Sequence, residues 1–228
     1  MRFSLRPSRL LFAIAALCGL SATAMAAEHR GITYEVTITN VTQAQTFTPQ
    51  LVAVHTDEVR LFSVGAPASE AVEILAEAGN TAPAMELLAA AGREVASVDT
   101  IPGLLGPGES VTMAVKGSGR ARYLTIAAML IPTNDTFFSV NSVRLPWHGE
   151  VTYRALAYDA GTEANDQDCA NIPGPTCGGD GHSPEPAADD EGHIHVSNGF
   201  HDLGAGTLSP AIYDWRNPVA VVTVKRKR

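Results

Sequence analysis

Lysine and arginine are scarce in this sequence. The chain has 228 residues, with 16 Lys+Arg against 24 Asp+Glu, for a formal net charge of -8. That balance lacks the positive field that nucleic acid or an anionic membrane surface requires, so neither is expected as a partner. Long apolar runs are also missing. The run at residues 10–20 is too short for the roughly 20 residues of a membrane helix, and no later run is longer. There is no Gly-x-Ser-x-Gly elbow and no Ser-His-Asp order, which leaves hydrolase chemistry without an anchor. No internal repeat is present. Only three cysteines occur, too few for a disulfide-dense scaffold or a four-thiolate zinc site.

The short apolar run has its own meaning. Arg2, Arg6 and Arg9 precede it, and Ala24-Met25-Ala26 follows. This is the layout of a secretory signal peptide, residues 1–26, cleaved after Ala26. Leu17 stands before Cys18 where a lipid-anchored leader would need a small residue. The mature chain, residues 27–228, is then secreted or periplasmic, without a transmembrane segment, and is expected to be a monomer. Losing three arginines makes it more acidic still. Its length suits one domain with a sizeable core. In an exported chain the remaining pair, Cys169 and Cys177, predicts a disulfide; a metal-thiolate role is the lesser alternative.

Residues 31–42 alternate apolar and β-branched polar positions, the pattern of a strand with one buried face. Residues 51–55, 109–116, 122–131, 150–158, 193–196 and 219–224 read as further strands, with 122–131 apolar on both faces. Residues 69–92 break the pattern. Ala71, Ile74, Leu75 and Ala78 have helical spacing, and Met85, Leu87, Leu88 and Ala91 continue after Pro83, so two short helices form an excursion from the sheet. Short strands separated by turn signals predict an all-β fold, an antiparallel β-sandwich. Residues 161–192, rich in Gly, Pro, Asp, Glu and Asn, predict a long acidic loop pinned by the disulfide. The basic tail, residues 225–228, reads as a solvated end. Trp147 and Trp215 read as packing residues, with Arg216 paired to a carboxylate. Asn40 and Asn134 fit the N-glycosylation pattern.

Two loops carry candidate chemistry. Residues 131–138 follow the most apolar strand and contain Asp135. Tyr158-Asp159-Ala160-Gly161-Thr162-Glu163 follows another strand, and Gly161 lets Asp159 and Glu163 point at one spot. Converging carboxylates repel one another unless a cation lies between them. Outside the cell Ca2+ is the natural occupant, being hard and oxygen-seeking. The bland alternative is turn capping. A rival site lies in His193, His195 and His201. Two of these share a strand face, and imidazole suits Cu or Zn, either as a binding site or as a metal-dependent enzyme.

The order of Leu-Ile-Pro-Thr-Asn-Asp135-Thr-Phe-Phe, then Tyr158-Asp159-Ala-Gly-Thr-Glu163, then a late Pro-Val-Ala-Val-Val-Thr-Val strand resembles the spondin domain of F-spondin and mindin. The opening Ile32-Thr-Tyr-Glu-Val-Thr strand fits as well. The resemblance implies a C2-like antiparallel β-sandwich and a calcium site at Asp135, Asp159 and Glu163. It implies a non-catalytic binding or adhesion module with a protein or glycan partner. The last ligand is Glu163 where the family has Asp, and Thr136 stands at the family's Trp position. No thrombospondin-type repeats follow, so the chain resembles the stand-alone exported members found in bacteria.

Overall fold

The structure is a computed structural model that describes residues 31–182, 190–203 and 208–227. The expected signal peptide, residues 183–189 of the acidic loop and Arg228 lie outside the described residues. In chain order the strands are β1 (Ile32–Asn40), β2 (Thr46–Phe47), β3 (Gln50–His55), β4 (Val95–Ile101), β5 (Ser110–Gly117), β6 (Tyr123–Ile131), β7 (Thr136–Arg144), β8 (Glu150–Asp159), β9 (His195–Val196) and β10 (Ala220–Arg226). The helices are α1 (Glu70–Ala78), α2 (Ala82–Ala89) and α3 (Pro210–Tyr213). The fold is all-β, and every named strand pair is antiparallel.

The strands run in the order β4-β3-β6-β7-β8-β10-β1-β5, with β2 on β6 and β9 on β8. The expected sandwich thus has its two layers joined through β8. The first half of β8, as far as Ala155, pairs with β10, and residues 156–159 pair with β7. A strand that changes partners midway makes a corner between packed layers. The outer strands β4 and β5 also meet, where the Ser97 hydroxyl donates to the Lys116 carbonyl at 2.9 Å, so the sheet is nearly closed.

Alternation decides which side chains enter the core. On β1, Tyr34, Val36 and Ile38 are fully buried. The intervening Thr37 and Thr39 face outward and pair by hydroxyl with Thr112 at 2.8 Å and Ser110 at 2.7 Å on β5. Central strands β3 and β6 are buried on both faces. Val52, Val54, Ile126, Ala128 and Leu130 join the interior cluster. Leu51, Ala53 and Ala127 join a second cluster beneath α1 and α2, with Val72, Leu75 and Leu88. The helical excursion therefore covers the outer face of the most apolar strands, which answers their lack of a polar side.

Some expectations need correction. Residues 131–138 are not a loop throughout, because β7 begins at Thr136 and the turn is confined to 132–135. Phe137 and Phe138 stand on opposite faces of β7, one in each cluster. β4 was not expected; its aliphatics Val95, Val98 and Ile101 are spaced by three instead of alternating, which hides the strand period. Trp147 does not pack inside. It lies in the β7–β8 turn, is 67% exposed, and is stacked by the Arg122 guanidinium, 3.3 Å from its ring centroid. Trp215 is buried as expected, and Arg216 pairs with Asp214 at 3.0 Å. Asn40 and Asn134 are buried and hydrogen-bonded, so neither presents an amide to a glycan.

Two stability measurements follow. Phe138 is fully buried against Phe47, with ring centroids 4.3 Å apart. Phe138→Ala should lower the unfolding free energy by about 3–5 kcal/mol in a denaturant titration. The Cys169–Cys177 disulfide is present. Replacing both cysteines by serine should cost about 2.5 kcal/mol if the short closed loop acts through chain entropy; an unchanged denaturation midpoint would show that this loop does not constrain the unfolded chain.

Candidate metal centre at the loop end

Strand β6 delivers Asp135 and strand β8 delivers Asp159 to the same end of the sheet, since Thr136 on β7 pairs with Asp159. Gly161 has φ 66, and a Cβ there would lie 2.4 Å from the His193 carbonyl oxygen. Only glycine lets the 159–163 loop curl this tightly beneath the chain entering β9. The curl turns two backbone amides toward Asp135, whose Oδ2 accepts the N–H of Thr162 at 2.8 Å and that of Glu163 at 3.2 Å. The Thr162 hydroxyl reaches the same oxygen at 3.3 Å. The Ala160 N–H donates to the Asp135 carbonyl at 3.2 Å, so the two loops are locked together.

Asp135 is fully buried, yet its Oδ1 has no hydrogen-bond partner among the described residues, and neither has Oε2 of buried Glu163. Buried polar atoms are rarely left in that state. Asp159, also buried, is better supplied: Oδ1 accepts the Gly161 N–H at 2.9 Å and Oδ2 accepts from Asn165 at 2.9 Å. Burial, then the charge of Asp159, pushes the Asp135 carboxyl up to about 8. Burial, then the charges of Glu77 and Asp135, pushes Glu163 up to about 8 as well. Burial raises Asp159, partly offset by Asn165 and His195.

Two groups of three ligand-type side chains have ligand atoms all within 4.8 Å among the described residues: Asp159, Glu191 and His195; and Glu73, Glu77 and His182. The expected acidic trio is neither of these. Asp159 enters the first, while Asp135 and Glu163 join neither; the charge of Asp159 acts on Asp135 and that of Glu77 on Glu163. The three histidines of the rival site are divided. His193 and His195 flank buried Ile194 with ring centroids 5.4 Å apart, but only His195 joins a group, with Nε2 3.7 Å from Asp159 Oδ1. His201 joins neither.

Sequence reading overlooked Glu73, Glu77 and Glu191. The spacing of four between Glu73 and Glu77 on a helix was an available signal. Glu191 had none, because its approach to Asp159 depends on the β8–β9 pairing.

The spondin N-terminal domain family, Spondin_N, matches residues 37–168. The chain belongs to that family. The matched stretch contains all of Asp135, Asp159 and Glu163, and ends just before the disulfide. No curated protein matches the chain. Spondin membership indicates an extracellular binding module, generally a non-enzymatic one. The disulfide agrees with an oxidising compartment, and no helix among the described residues is long and apolar enough to cross a membrane.

The buried carboxyls give a pH test. In the unfolded chain Asp135 and Glu163 ionise near 3.8 and 4.5, but in the folded chain near 8. Between those values the folded state holds protons that the unfolded state has released, so stability falls as pH rises. In chelator the melting temperature should therefore decline from pH 5 to pH 8. A flat or rising profile would contradict the buried acidic cluster.

Proposed function

We propose that the protein is an exported spondin-type binding module that holds one Ca2+ at its loop end through Asp135, Asp159 and Glu163. The observation carrying this reading is the buried Asp135 Oδ1 without a hydrogen-bond partner among the described residues, together with the Glu163 Oε2 in the same state. The donor set fits the ion. All three side chains offer oxygen, each carboxylate oxygen has spare lone pairs, and neighbouring carbonyls and water complete the about six to eight ligands calcium prefers. When bound, the ion supplies the positive charge that removes the repulsion among these carboxylates. The residues themselves join the 132–135 turn to the 159–163 loop and so stiffen one end of the sandwich. That end, in a secreted or periplasmic monomer, is the surface offered to a protein or glycan partner. No catalytic role is assigned.

A second reading has one observation in its favour. Asp159, Glu191 and His195 converge with an imidazole among them, a donor set suited to Cu or Zn. It uses Asp159 in place of the histidine trio expected from sequence.

Melting in the presence and absence of Ca2+ tests the first reading. Stability should rise by about 2.7 kcal/mol when Ca2+ is a hundredfold above its dissociation constant. Asp135→Asn should abolish the rise, yet raise the melting temperature in chelator, because it removes a buried carboxylate. A calcium response that survives in Asp135→Asn, or no response in the parent protein, would overturn the calcium site.

A further inference from the structure

Positive charge gathers at the end of the sheet opposite the acidic loops. Strand β8 runs ten residues from Glu150 to Asp159, which separates the two ends by about 30 Å at the strand rise of about 3.3 Å per residue. Strands β7 and β8 pair only at residues 136–139 and 156–159, because the first half of β8 turns away to β10. Where they part, a recess of about 530 Å³ is lined by Arg120, Arg122, Arg144, Trp147 and Tyr153 among others. Trp147 also borders a second recess of about 730 Å³, with His148, Lys225, Arg226 and Lys227. Lys225 and Arg226 are thus the end of β10 and not a free tail. Against these six bases the acid in the two linings is Asp57, in a chain where acids outnumber bases 24 to 16. Arg120 is paired with Glu94 at 3.5 Å, and Lys227 with Glu35. Arg122, Arg144, Lys225 and Arg226 form no salt bridge among the described residues.

Two features make this more than a charged rim. The Arg122 guanidinium, 3.3 Å from the Trp147 ring centroid, covers one face of the indole; with Trp147 67% exposed, the other face is open. Arg122 Nη2 donates to the Leu145 carbonyl at 3.2 Å, whereas its buried Nη1 has no hydrogen-bond partner among the described residues. The protein therefore satisfies this guanidinium only in part. We propose that this end of the sheet binds a short acidic oligosaccharide, one that carries carboxylates on its sugar rings. The apolar face of a sugar ring packs on the open indole, and guanidinium forks accept carboxylates in bidentate fashion. A peptide strand fits less well, because the backbone here is already engaged. The Arg144 carbonyl accepts the Tyr153 hydroxyl, and the Leu145 N–H donates to the Arg122 carbonyl at 2.8 Å. A flat membrane surface does not fill recesses. The acidic loop end repels a long polyanion, so a short stretch or a chain end is the form accepted. The inference adds a surface at the far end of the sheet and does not rest on the calcium reading.

Titration of the full chain with a galacturonate hexamer in metal-free buffer, followed by Trp fluorescence and calorimetry, tests it. Trp215 is buried and Trp147 exposed, so the change in fluorescence should come from Trp147. Binding should weaken as salt is added, and neutral maltohexaose should not bind. Affinity should fall roughly tenfold or more in Trp147→Ala and in Arg144→Gln. Both side chains are at the surface, so cooperative melting of the variants is expected and shows that they fold. No binding at millimolar hexamer in low salt, equal binding of maltohexaose, or unchanged affinity in Trp147→Ala would overturn the proposal. So would binding of phosphatidylglycerol vesicles or of an acidic peptide with none of the hexamer.

Discussion

A fully buried carboxylate beside other buried carboxylates is the constraint on which the loop end depends. Asp135 has lost its water, and one of its oxygens holds the 159–163 loop through two backbone amides. That hydrogen bonding offsets part of the desolvation, but the other oxygen has no protein partner among the described residues. Only a proton or a cation can neutralise such a group at moderate cost. The raised ionisation of Asp135, Asp159 and Glu163 expresses the first solution. The proposed ion is the second, and the competition between proton and metal makes the site sensitive to pH.

The sheet makes this burial possible. Because β8 changes partners at its middle, its end lies against β7 and β9 while its start belongs to the opposite layer. Asp159 therefore emerges among strands, facing His195, and cannot retreat to solvent. Helices α1 and α2 cover the adjacent face and bring Glu73 and Glu77 to the same region. The charge of Asp159 acts on Asp135, and those of Glu77 and Asp135 act on Glu163, so the acids at this end of the sheet influence one another. An acidic face of this kind attracts cations and repels polyanions.

Much of the architecture was legible in local pattern. The alternation at Ile32–Asn40 and Glu150–Asp159, the double-sided apolar run of β6 and the helical spacing before Gly92 each report a period that backbone geometry imposes. Strand β4 escaped because its aliphatics Val95, Val98 and Ile101 are spaced by three instead of alternating, and it lies at the rim of the sheet. Trp147 misled because a large aromatic usually finds cover, whereas the tight β7–β8 turn projects it outward with Arg122 stacked on it.

Residue types and spacing alone determined most of the strands, the helical excursion, the cysteine pair and the acidic 159–163 loop, since each is written within a few neighbouring positions; β4 and the start of β7 were not. Tertiary structure alone decided which acids meet. His182 and Glu77 are 105 positions apart, and Glu191 reaches Asp159 only through strand pairing. Such encounters leave no periodic trace in sequence, because they are set by where the sheet turns and where the disulfide loop lands. Charge balance raised an expectation against polyanion partners; only the fold brings Asp135, Asp159 and Glu163 to buried positions at one end of the sheet.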